Sequence, residues 1–130
     1  MASQAGQHGI VSHVIVESTD PRPLSCFAAH GFYTSYYLFP DDDLPRMSRR
    51  QIADYYEAVK AHLLASKVNA VSSSYRSLPF IEKYFPDMDV LVWYLDGSGR
   101  SLGNRAVVAW LARKERVKVI LVHRSSPGYR

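Results

Sequence analysis

The sequence predicts one three-layer α/β domain on a mostly parallel sheet of about five strands, and three observations carry that expectation. Segments rich in β-branched and aromatic residues alternate along the chain with segments of helical period. Two late segments, "DVLVWYL" and "KVILVH", are continuously apolar, the pattern of strands covered on both faces. The 130 residues are 47% apolar and 22% charged, the composition of a single globular unit with one core.

In order, "IVSHVIVES" (10–18) is β-branched and reads as a strand, stopped by the turn-forming "TDPRP". "LSCFAAH" is expected to form a short helix ended by Gly31, with Cys26 as a small buried residue in it. "FYTSYYLF" (32–39) is aromatic and β-prone, and Pro40 ends it. Ser48 and Gln51 have capping-box spacing, and Ile52, Tyr55, Tyr56, Val59, Leu63 and Leu64 follow at helical period, which predicts a helix over 48–66. "VNAVSS" is a short strand. Ser77 and Pro79 open a brief helix, "LPFIEKYF", closed by Pro86. "DVLVWYL", a helix over "NRAVVAWLARKER", and "KVILVH" complete the pattern, the two strands being read as adjacent, parallel and central. Residues 1–9 and 125–130 read as flexible tails.

Between the last two strands lies "LDGSGRSLGNR" (95–105), leaving a strand and entering a helix. In open parallel sheets ligands bind outside the carboxyl ends of the strands, at the point where strand order reverses. Gly97, Gly99 and Gly103 lack β-carbons and can take positive φ, letting the backbone approach a ligand. Ser98, Ser101 and Asn104 offer hydrogen bonds, and the first amides of the following helix form an anion site. The loop is neither G-x-G-x-x-G nor a P-loop. Arg100 and Arg105 place positive charge near a helix start, where an anion must be present to favour it.

The net charge of +4 hides an asymmetry: residues 1–99 hold 8 Lys/Arg against 11 Asp/Glu, and residues 100–130 hold 8 against Glu115 alone. Such a basic third suits an anionic ligand or partner. Arg113, Lys114, Arg116 and Lys118 are expected to offset the carbonyl end of the helix before them. No run reaches the length of a membrane span, and the polar N-terminus has no basic-then-apolar signal, so no membrane partner and a cytoplasmic setting are expected. The five histidines lack metal spacing, one cysteine cannot form an internal disulfide, and no cofactor motif is present.

The segment "PDMDVLVWYLDGSGRSLGNRAVVAWLARKERVKVILVHR" resembles the C-terminal half of the nucleoside 2-deoxyribosyltransferase-like family, especially its deoxynucleoside-monophosphate N-glycosidase branch. "MDVLVWYLD", "RSLGNR" and "KVILVHR" stand where that family has a strand, an S-x-G loop with its helix, and a strand ending near an Arg. The resemblance implies a Rossmann/flavodoxin-like fold, a nucleotide or other phosphorylated small-molecule ligand, and a homodimer. The chemistry of the loop itself places the expected ligand contacts at Ser98, Gly99, Ser101, Gly103, Asn104 and Arg105, with Asp41 from "PDDD" after the earlier strand. The family's nucleophilic Glu falls at Val107, which cannot form a glycosyl ester, so the covalent mechanism is absent and Asp96 is the candidate replacement carboxylate. "HVIVESTDPRPL" also resembles the opening of a toprim domain through Glu17 and Asp20. The D-x-D pair that toprim metal chemistry needs is missing, since Ser98 stands two after Asp96. The chain therefore reads as a nucleotide or nucleoside-phosphate binder, a divergent or inactive glycosidase or transferase. The alternative is a non-enzymatic protein whose basic third holds a protein partner or, less favoured, nucleic acid.

Overall fold

The computed structural model describes residues 9, 11–38, 45–94 and 102–121. The elements run β1 (Ile15–Ser18), α1 (Pro21–Ala29), β2 (Tyr33–Tyr37), α2 (Arg49–Ser66), β3 (Ala70–Ser74), α3 (Leu78–Tyr84), β4 (Asp89–Tyr94), α4 (Leu102–Leu111) and β5 (Val117–Ile120). Short 3-10 turns cover Val11–His13 and Tyr75–Ser77. All neighbouring strands pair in parallel in one sheet of order β1-β2-β3-β4-β5. This is the expected α/β class, consistent with a three-layer Rossmann-like domain. The expected tails, apart from Gly9, lie outside the described residues.

The strand order corrects two expectations. It never reverses, so there is no switch point, and a ligand site at the carboxyl edge has to be argued from the residues on that edge. The segment "KVILVH" supplies an edge strand instead of a central one: among the described strands β5 pairs with β4 alone, its Lys118 is exposed, and Val117, Val119 and Ile120 are half-buried. "DVLVWYL" does form a covered strand, with Val90, Leu91 and Val92 buried.

Local signals account for most helix boundaries. Asp20 caps α1, and Pro21 occupies its first position, where a missing N–H costs nothing. The helix thus begins inside the turn sequence expected only to stop β1. Cys26 lies on it but is exposed, because the core-facing residue of this helix is Leu24. In α2 the capping box forms: Gln51 N–H donates to Ser48 Oγ at 3.2 Å, and Ser48 N–H donates to Gln51 Oε1 at 2.8 Å. The helix stops at Lys67, whose φ of 53° is left-handed.

Residues from all four helices, including Leu24, Tyr56, Leu63, Ile81 and Leu111, join one buried cluster with Val71, Val90 and Val92, and Val16 and Tyr36 pack against it. Tyr56 is its centre, its ring stacked on Phe80 and Tyr84 with centroids 5.4 and 5.0 Å away. Such pairs contribute about 0.5–1.5 kcal/mol each beyond their buried area. The alternate strand residues Tyr33, Tyr37, Leu91 and Trp93 point to the other face, where Tyr37 and Trp93 stack at 4.8 Å.

Candidate functional site

In a parallel sheet every strand delivers the chain to the amino end of the next helix, so the carboxyl edge collects all helix N-termini. Each brings unpaired amides and the positive end of a macrodipole, which favours acidic residues in the first turn. No described helix or 3-10 turn has an acid there. Arginines stand there instead: Arg22 in α1, Arg49 and Arg50 in α2, Arg76 in the 3-10 turn before α3, and Arg105 in α4. Arg46 lies just ahead of the α2 cap. Every described lysine, namely Lys60, Lys67, Lys83, Lys114 and Lys118, lies outside the opening turns of the helices. Among the described residues the cations at this edge are therefore guanidinium groups, the side chain whose planar fork matches phosphate.

Arg22 and Arg50 have carboxylates beside them. Arg22 forks onto the Asp20 carboxylate, with Nη2 to Oδ2 at 2.6 Å and Nε to both oxygens at 3.0 Å. Hydrogen bonds from the Arg22 side chain, then from its backbone amide, hold the Asp20 carboxyl down at about 2. Burial first, and then the Asp20 charge, push the Tyr36 phenol up. Arg50 stands 3.9 Å from Asp54, an exposed pair of little energetic weight. Arg46, Arg49 and Arg105 are exposed and have no ion pair among the described residues.

Of the expected contacts, Gly103 and Arg105 fall on this edge, in the first turn of α4. Gly103 departs from the expectation: its φ is not left-handed, and an added Cβ would meet nothing within 4 Å. Glycine is therefore not demanded there by backbone conformation or crowding. Asn104 is on the same turn, with its side chain outside the described residues, as are Asp41, Asp96, Ser98, Gly99 and Ser101. Val107 lies in the second turn, half-buried and packed against the core cluster.

The serines at the end of β3, which also lie toward this edge, are occupied or enclosed. Ser72 and Ser73 are buried within the strand, and Ser74 Oγ accepts the Arg76 N–H at 3.1 Å. α4 ends at Leu111 with no base in its last turn, and the basic run follows directly beyond it. These residues tie the α4–β5 connection to its neighbours. Lys114 pairs with Glu82 at 2.6 Å and covers the Trp110 ring at 4.7 Å. Arg116 donates to the Phe85 and Met88 carbonyls, and Lys118 donates to the Glu115 carbonyl at 3.0 Å and lies 3.8 Å from Asp89. Three of the cations that the interaction-protein alternative relied on are thus engaged internally.

Arg22, Arg46, Arg49, Arg50 and Arg76 were not singled out from the sequence. The signal that finds them was present: an arginine beside each helix start, with acids absent from every first turn. Among the described residues no group of three or more His, Cys, Asp or Glu could hold a metal ion, and no helix is long and apolar enough to cross a membrane. No family model matches the chain, and no curated protein and no solved structure matches it.

Proposed function

We propose that the carboxyl edge of the sheet binds a phosphorylated small molecule, a nucleotide or nucleoside phosphate, with the anion at the N-terminus of α4. The observation that carries this reading is the placement of arginine in the opening turns of α1, α2 and α4 and of the 3-10 turn, where a helix without a ligand favours acids. The unpaired amides that open α4, Leu102 to Asn104, supply donors, Arg105 supplies charge, and the open space at Gly103 leaves the backbone approachable. Arg46 and Arg49, without ion pairs among the described residues, serve a second phosphate or a longer ligand. Val107 in the core-facing position leaves the edge without a carboxylate nucleophile from α4, so binding, without glycosyl transfer, is the activity the described residues support. Thermal-shift titration of phosphate, nucleoside monophosphates and dinucleotides against the wild type tests the reading. Saturable stabilisation that weakens with rising salt is the expected result, and a flat response to every ligand removes the proposal.

A further inference from the structure

At the opposite end of the sheet, where α2 and α3 finish and β3 and β4 begin, lies a cavity of about 200 Å³. Its apolar floor is Leu63, Val68, Tyr84 and Phe85, all buried, and its mouth carries Lys60 and Lys67. Leu64 on the lip is 75% exposed, more than any other large apolar side chain among the described residues. A lone exposed leucine needs no explanation, but one continuous with an apolar cavity extends a surface that nothing among the described residues covers.

The charge at the mouth selects the occupant. Helix C-termini attract cations, and that accounts for Lys83, which stands in the last turn of α3 with its ammonium over the Tyr84 ring. It also suits Lys67, the cap of α2. It does not account for Lys60, which lies well before the last turn of α2, is half-buried, and has no ion pair among the described residues. Asp87 is the one acid lining the cavity, and it is exposed. An apolar floor beneath two unpaired ammonium groups suits a molecule with an aliphatic tail and an anionic head.

We propose that this cavity is a binding site for small aliphatic carboxylates, the tail lying on Leu63, Val68 and Phe85 beside Leu64, and the carboxylate meeting Lys60 and Lys67. The site is separate from the arginine edge and does not depend on the reading given for it.

The test is calorimetric titration of the full chain with butanoate, hexanoate and octanoate, alongside octanol and octylammonium. Each added methylene that reaches the floor should tighten binding about fourfold, the factor that corresponds to burying one CH₂, until the cavity is full. Octanoate should bind at least tenfold more tightly than octylammonium. Lys60→Glu should weaken octanoate and reverse that preference, and Leu64→Glu should weaken every chain length. Both positions are partly or largely exposed, and circular dichroism checks that the variants fold. The wild-type series decides by itself: octylammonium binding as tightly as octanoate would make Asp87 the determinant and overturn the proposal. A flat response, or one independent of chain length, overturns it equally.

Discussion

Arg105→Glu separates stability from binding, because the two are expected to move in opposite directions. The residue is exposed in the first turn of α4, with no ion pair among the described residues and no acid in that turn. A charge at an exposed helix terminus contributes about 0.3–1 kcal/mol. Replacing an unfavourable cation by a favourable anion applies this twice, and the position at the end of the turn argues for the lower part of the range. The ligand-free variant should therefore be more stable by about 0.6–1 kcal/mol, a rise in midpoint of about 2–4 °C for a chain of this size. Binding reverses the order. At 100 times the wild-type dissociation constant, ligand adds about 2.7 kcal/mol to the wild type. A variant with tenfold weaker binding gains about 1.4 kcal/mol at the same concentration. The melting curves should thus exchange places, the variant melting later without ligand and earlier with saturating phosphate or nucleoside monophosphate in low salt. A ligand-free variant less stable than the wild type would make Arg105 a structural residue. Equal ligand increments in both proteins would remove it from the site.

Gly103→Ala should stabilise the ligand-free chain by about 0.5 kcal/mol, since the site is helical and open, and should weaken phosphate binding where the new methyl meets the ligand; urea melts with and without phosphate measure both. Lys67→Gly removes a β-carbon from a left-handed residue and should raise stability by about 0.5–1 kcal/mol in the same assay. Ser72 is fully buried and its hydroxyl has no hydrogen-bond partner among the described residues, so Ser72→Ala should stabilise by about 1 kcal/mol, and a loss of that size would show that the hydroxyl is satisfied in solution. Tyr33 donates to Asp89 at 2.6 Å, and burial, then that bond, raise its phenol above the ordinary value of 10. The unfolded phenol then ionises first, so the associated stability is present below about pH 10 and is lost as pH rises beyond it. Tyr33→Phe should cost about 1 kcal/mol at neutral pH and flatten that alkaline loss, as read from melts between pH 8 and 11.

What could be read from the sequence was whatever neighbouring residues decide among themselves. The α2 helix is one such case: its cap, its third residue and its apolar period are all local, and the structure reproduces each. The position of a strand in the sheet is not local. "KVILVH" carries the same apolar signal as "DVLVWYL", yet one lies at the edge and the other inside, because strand order depends on pairing partners far away in sequence. The converse case is β3, "AVSSS", every residue of which is buried although three are serines. Small side chains there are enclosed between β2 and β4, and a hydrophobicity pattern has no means of registering burial conferred by neighbours.

The arginine edge falls between these cases. Each arginine beside a helix start is a local fact, and the conflict with the macrodipole can be read from one helix at a time, as it was at Arg105. That conflicts at three elements bear on one edge follows only from the sheet being parallel throughout, since a parallel sheet turns every helix N-terminus toward the same side. A single cation at one helix start costs a few tenths of a kcal/mol and is easily tolerated. Repeated at Arg22, Arg49, Arg50 and Arg105, with no acid in any described first turn, the same small cost recurs along one edge, and at Arg22 a close carboxylate pair offsets it. A bound anion at that edge would compensate the remainder, which is why melting with and without phosphate is the measurement on which the functional reading depends.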